Sequence, residues 1–248
     1  MIISKSPAEI EKMRKAGNVV AEALELAREK ICPGLTTIEL DKAIENLIIN
    51  SGSRPAFKGY RGYPASICAS VNDEVVHCIP SERSLKSGDI ISIDIGVELD
   101  GYFGDAAKTF AVGDIKDEAK ELISITEKSL QAGISMAKVG NRLSDISHEV
   151  QVTAEEAGYT VVRDYVGHGI GNEMHEDPQI PNFGPPGNGP VLKEGMVFAL
   201  EPMVNVGDYE VKVRSDEWTV VTADGSLSAH FEHTIALTKD GPMILTKG

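Results

Sequence analysis

Apolar and polar positions along the chain divide it into two similar runs of elements. Ser6-Pro7-Ala8-Glu9 has capping-box spacing with proline at the first helical position, and Ile10, Met13, Val20, Leu24 and Leu26 follow at roughly helical spacing. Cys32-Pro33-Gly34 stops this helix, and a second is expected from Thr37 to about Asn50, ending near Gly52. Residues 53–70 are aromatic and glycine-rich and read as loop and short strand. Over 89–112 the period changes to two: Ile91, Ile93, Ile95 and Val97 alternate with Ser92, Asp94 and Gly96. Asp100-Gly101 is a hairpin turn signal, and Tyr102 to Val112 forms the return strand. Helical patterns recur over about 116–137 and 143–157. Strand-like runs close the chain at 160–166, 196–204, 209–213, 218–222 and 229–237, with a further turn at Asp224-Gly225.

The two runs form an internal repeat. Lys86-Ser-Gly-Asp-Ile-Ile-Ser-Ile-Asp94-Ile-Gly-Val97 resembles Lys193-Glu-Gly-Met-Val-Phe-Ala-Leu-Glu201-Pro-Met-Val204. Gly34 and Gly140 follow the first long helix of each run, and Gly52 and Gly158 follow the second. The period, roughly 106 residues, is too long for a solenoid. It implies an α+β chain, 1–248, built as one domain from two pseudo-symmetric halves, about 1–113 and 114–248, with a shared site between them.

Composition narrows the function classes. The chain has 248 residues, 42% hydrophobic and 25% charged, as in an ordinary globular protein. A net charge of −14 without a basic run argues against nucleic acid as a partner. Cys32, Cys68 and Cys78 are odd in number and form no CxxC pair, so reduced thiols in a cytoplasmic protein are expected rather than a disulfide framework or zinc knot. The first residues lack a signal-peptide core, and no apolar stretch is long enough to span a membrane.

The repeat aligns Asp94 with Glu201, each an acid set in a strongly apolar strand, where a carboxylate is costly unless paired or metal-bound. An even-numbered turn at 100–101 would put Asp94 and Asp105 on one face as opposite or diagonal neighbours; a three-residue loop would separate them. Two such charges repel, and a divalent cation removes the penalty. His168 lies in Gly167-His-Gly-Ile-Gly171, where flanking glycines permit close backbone approach to a ligand. Glu232 lies in a strand-like run. Taken singly, each of these residues has an ordinary structural explanation. No P-loop, HExxH or G-x-S-x-G occurs.

Together these residues carry a resemblance over essentially the whole chain. Asp94, an acid eleven positions later, His168 in GHGIG, Glu201 in ALEPMV and Glu232 in FEHT are similar to the type I, bacterial-type methionine aminopeptidases of the pita-bread metallopeptidases. So are GYRGYPASICASVNDEVVH, SIDIGVELDGYFGDAA, RDYVGHGIG and HEDPQIPNFG. The resemblance implies a curved antiparallel sheet with helices on its outer face. It implies two divalent ions, one on Asp105, His168, Glu201 and Glu232 and the other on Asp94, Asp105 and Glu232. One imidazole among four carboxylates suits manganese, iron(II) or cobalt more than structural zinc, although zinc remains among the ions expected. It further implies that Glu201 acts as general base and acid, that His175 contacts the scissile amide, and that His77 holds the next peptide unit. Phe57, Tyr60, Tyr63, Cys68, Met174 and Trp218 would line or flank an apolar slot for methionine. A monovalent cation site would map to Asn72, Glu74 and Ser228.

The implied substrates are N-termini of nascent proteins with a small second residue, met in transient association with the ribosome by a monomeric enzyme. With Ile2 as its own second residue, the chain would keep Met1. Two departures stand out: Cys78 where the family commonly has glycine, and Met174 where many members have phenylalanine. Proline-specific peptidases of the same fold share the metal ligands but usually carry an added N-terminal domain. A pseudoenzyme would have lost ligands, whereas all five positions are filled.

Overall fold

The computed structural model describes residues 2–247; Met1, whose retention is expected, lies outside them. In the first half, helices α1 (Pro7–Lys30) and α2 (Thr37–Asn50) precede strands β1 (Arg54–Pro55), β2 (Cys68–Val71), β3 (Ile90–Leu99) and β4 (Tyr102–Ala111). In the second, α3 (Asp117–Met136) and α4 (Leu143–Glu155) precede β5 (Thr160–Val161), β6 (Gly167–Gly169), β7 (Glu176–Ile180), β8 (Val197–Leu200) and β9 (Met203–Asn205). The chain continues through β10 (Val211–Val213), β11 (Val220–Thr222), β12 (Ser228–His230), β13 (His233–Thr238) and β14 (Gly241–Ile244).

Both expected helix starts in the first half are built as capping boxes, Ser6 with Glu9 and Thr36 with Glu39. Gly34, Gly52, Gly140 and Gly158, just past the helix ends, all have left-handed φ between 81° and 98°. Helix α1 buries Met13, Ala16, Val20 and Leu24 against β3 and β4. That crossing is close: a Cβ on Gly104 would lie 2.8 Å from the Gly17 nitrogen. Burying each such large apolar side chain contributes about 1.5–3 kcal/mol.

Strand β3 pairs with β1 and β2 along one edge and β4 along the other, all antiparallel. The second half contributes a five-stranded sheet in the order β14-β13-β8-β6-β7, a three-stranded sheet β12-β9-β5, and the hairpin β10-β11. Backbone bonds between Ala107 and Glu232 in both directions stitch β4 to the segment between β12 and β13. Thr234 Oγ1 reinforces this seam by accepting from Asp105 N at 2.9 Å and donating to Asp105 O at 2.8 Å.

The expected strands differ from the observed ones in an instructive way. Residues 196–204 and 229–237 read as continuous, yet each is interrupted at its acid, at Glu201-Pro202 and at Phe231-Glu232. Pro202 has no N–H for a ladder, and its carbonyl instead accepts from Phe231 N at 3.3 Å. Gly167-His168-Gly169, just past the expected strand 160–166, is strand β6. Its glycines face neighbouring backbone, because a Cβ would lie 2.5 Å from Ala199 O at Gly167 and 2.1 Å from Asp177 O at Gly169. Close approach explains the glycines, but the partner is protein backbone rather than a ligand. The run 160–166 shortens to the two residues of β5, while β7 and β14 carried no strand pattern in the sequence.

Candidate metal centre and substrate pocket

The geometry begins with the β3–β4 turn. Asp100 and Gly101 have φ of 51° and 77°, as a two-residue hairpin turn with both residues left-handed requires, and Leu99 pairs with Tyr102. The register puts Ala107 opposite Asp94 and Gly96 opposite Asp105. The two acids are therefore diagonal neighbours on one face.

Glu232 enters this face across the seam, and β6 delivers His168 beside it. Ligand atoms of Asp105, His168 and Glu232 lie within 4.8 Å of one another. His168 Nε2 is 3.6 Å from Glu201 Oε1 and 3.9 Å from Asp105 Oδ2. His168 Nδ1 lies 2.9 Å from the Gly169 carbonyl, so Nδ1–H donates there and Nε2 presents its lone pair to the acids.

The electrostatics are those of an uncompensated cluster. Burial raises all four carboxyls, and mutual repulsion adds to it at Asp105, Glu201 and Glu232; Asp94 is pushed up to about 7. Burial lowers His168 to about 4, so it stays neutral near pH 7. Asp94 Oδ1, Asp105 Oδ1 and Glu232 Oε1 are shut off from solvent without a hydrogen-bond partner. Buried polar atoms are rarely left so. Three orphaned carboxylate oxygens beside a free imidazole lone pair form a donor set that fits a hard or borderline divalent cation.

A pocket opens over this cluster. Asp94, Asp105, His168, Glu201 and Glu232 form part of its wall, joined by Phe57, Tyr60, Tyr63, Cys68, His77, His175 and Trp218. Cys68 pairs directly with Asp94 across β2 and β3, and burial beside that acid keeps its thiol protonated. Tyr63 donates to the carbonyls of Ile67 and Cys78 and meets Trp218 edge-on at 5.1 Å. Met174 stands behind the wall. It is buried and packs with Phe57 over Gly96, where a Cβ would lie 2.6 Å from the Phe57 ring and 2.9 Å from Met174 Cε.

His77 and His175 border the pocket. His77, held at φ 59°, meets the Tyr165 ring edge-on at 5.4 Å. His175 Nδ1 is 2.9 Å from the Tyr60 hydroxyl, and its ring lies 4.2 Å from that of His168. Burial, then the nearby His168, Arg61 and His77, lower His175 to about 3. Cys78, the departure beside His77, is not among the pocket's lining residues, and its thiol donates to the Val76 carbonyl at 3.4 Å. Asn72 and Ser228 are brought together, the Asn72 carbonyl accepting from Ser228 N at 2.9 Å. Arg61 also lines the pocket and was not singled out in the sequence, where nothing marks an arginine between Tyr60 and Gly62 as facing a cavity.

Comparison with known proteins bears on the family and the fold. The metallopeptidase family M24 pattern matches residues 11–239. A methionine aminopeptidase of Clostridium perfringens is 57% identical over 246 residues, 99% of each chain. The crystal structure of a Thermotoga maritima methionine aminopeptidase superposes with a TM-score of 0.99 at 51% identity, covering 100% of both chains. A Pyrococcus horikoshii prolidase is more distant, with a TM-score of 0.81 at 26% identity over 64% of that chain. The fold is thus the α+β pita-bread fold with its duplicated, pseudo-two-fold plan, and the chain belongs to metallopeptidase family M24.

Proposed function

We propose that this chain is a divalent-metal-dependent methionine aminopeptidase that removes the first methionine from nascent proteins with a small second residue. The observation that carries the reading is the cluster of orphaned buried carboxylate oxygens around His168 at the floor of an apolar, aromatic pocket. Identity of 57% to a methionine aminopeptidase over nearly the whole chain supports methionine over proline-directed specificity. The two halves, about 1–113 and 114–248, act as one catalytic domain with the site on their seam.

Asp105, His168, Glu201 and Glu232 would hold one ion, and Asp94, Asp105 and Glu232 the other, with Asp105 and Glu232 shared. When bound, the pair of divalent ions polarises the scissile carbonyl and acidifies the attacking water. The surrounding residues supply the remaining functions. Glu201, at a strand break and 15% exposed, would take a proton from water and return it to the departing amine. His175 is neutral at working pH, and a Tyr60 hydroxyl donating to Nδ1 leaves its Nε2–H free for the oxygen developing negative charge. His77 holds the following peptide unit. Tyr63, Cys68, Trp218 and Phe57 receive the thioether, with Met174 shaping the slot from behind Phe57.

The oxygen-rich set favours manganese, iron(II) or cobalt, with zinc a weaker candidate. Asn72, Glu74 and Ser228 would hold a monovalent cation. Action at the ribosome in the cytoplasm, as a monomer, completes the reading. Among the described residues no helix is long and apolar enough to cross a membrane.

Offered Met-Ala-Ser and an X-Pro peptide with Mn²⁺ or Co²⁺, the protein is expected to release methionine from the first, and Asp94→Ala to lose that activity by at least a hundredfold. Cleavage of the X-Pro peptide alone would sink the assignment.

A further inference from the structure

The pocket has a closed end and an open end. Cys68, Asp105 and Glu232 at its floor are buried, whereas Arg61 and His175 are its exposed lining residues. A peptide whose first residue fills the floor must therefore leave past Arg61 and His175.

Arg61 is the one lysine or arginine in the lining. Its place is fixed by a compact turn: Gly59 N donates to Tyr63 O, Tyr60 N to Phe57 O and Tyr63 N to Tyr60 O. Arg61 itself is left-handed, with φ 50° and ψ 19°. Its guanidinium lies over the Tyr60 ring at 5.3 Å, and the same ring stacks on His175 at 5.2 Å. Among the described residues no carboxylate pairs with it. The cation is thus anchored by a ring face while its N–H donors remain free. The four acids of the floor are those proposed to be neutralised by divalent ions, which leaves Arg61 as the uncompensated charge of the lining. The chain as a whole carries −14 and would by itself disfavour acidic peptides.

The geometry points to Arg61 as a specificity-determining residue that favours peptides carrying a carboxylate two or three residues beyond the scissile bond. This rests on the aminopeptidase reading above. The position follows from reach: His175 borders the scissile amide in the reading above, and Arg61 is linked to it through the Tyr60 ring, a span of roughly two to three extended residues. The carboxylate could be an acidic side chain or the C-terminus of a short peptide, and the test separates them.

Amidated peptides Met-Ala-Ser-X-Gly, with X as Asp, Ser or Lys, are compared in wild-type protein, Arg61→Ala and Arg61→Glu, at low and high salt with Mn²⁺. Each enzyme is judged by its own Asp-to-Lys ratio of kcat/KM, so a general loss of activity does not obscure the result. At low salt the ratio is expected to be about threefold in wild type, near one in Arg61→Ala and inverted in Arg61→Glu, and to shrink with salt. Met-Ala-Ser with a free C-terminus is expected to outpace its amide only in wild type. If only that pair responds, the ligand is the terminal carboxylate alone. Equal Asp-to-Lys ratios in all three enzymes, and no free-acid advantage, would overturn the role of Arg61. Failure of wild type to cleave even the Ser peptide would instead overturn the aminopeptidase reading and this inference with it.

Discussion

Asp94, Asp105, Glu201 and Glu232 are each placed where a carboxylate is unfavourable, and that shared feature gives the site its chemistry. Burial holds Asp94 near 7 and the other three above their ordinary range. A group whose folded pKa is raised stabilises the fold fully below its unfolded pKa and loses that contribution as pH rises through the folded value. For Asp94 the window runs from about 4 to about 7, and the other three are shifted in the same direction. Between pH 6.5 and 8 the buried histidines, lowered in the fold from an unfolded value of about 6.5, act in the opposite sense, so the carboxyls are read through metal binding rather than through Tm. Binding of Mn²⁺ over the same range should release protons and become tighter as pH rises. Calorimetry in two buffers of different ionisation enthalpy checks this; proton-neutral binding would contradict it. Arg61 belongs to the same scale, as a single charge that no sequence pattern marked.

At the level of elements, what could be read in advance depended on whether the signal was local. The capping box of α1 and the Asp100-Gly101 turn are written in a few adjacent residues, and both are observed; the α2 box of Thr36 and Glu39 was equally local but was not read. An even-numbered turn was enough to put Asp94 and Asp105 on one face, and the register resolves the pair as diagonal. Glu201 was legible through the repeat. His168 and Glu232 were not, except by family resemblance, because their placement depends on β6 and on the seam with β4, which join residues far apart in sequence. For the same reason the strand breaks at Glu201 and Glu232 and the strand nature of Gly167–Gly169 were missed. That strand gives a sharp expectation. Gly169→Ala sets a methyl 2.1 Å from the Asp177 carbonyl, which cannot yield without moving β7, the strand that follows His175. A loss of about 1–3 kcal/mol in urea unfolding is expected, with a larger fractional loss of kcat than of metal affinity. Unchanged stability would show that β6 and β7 are not packed as described.

On the scale of the molecule, the fold's main effect is to place two similar halves against each other so that their acids converge. Asp94 and Asp105 come from the first half, and His168, Glu201 and Glu232 from the second. Reciprocal bonds between Ala107 and Glu232 and between Asp105 and Thr234 hold them in register. Neither half holds all five residues, so the site exists only where the halves meet, and cations would offset the repulsion of four carboxyls in one buried space. Together these five residues are proposed to form a two-ion site. Anomalous diffraction from a crystal grown with Mn²⁺, recorded above and below the manganese edge, tests it directly. Two difference peaks are expected about 3–4 Å apart, one bounded by Asp105, His168, Glu201 and Glu232 and the other by Asp94, Asp105 and Glu232. Manganese bound only elsewhere, or an empty cluster at saturating metal, would contradict the account.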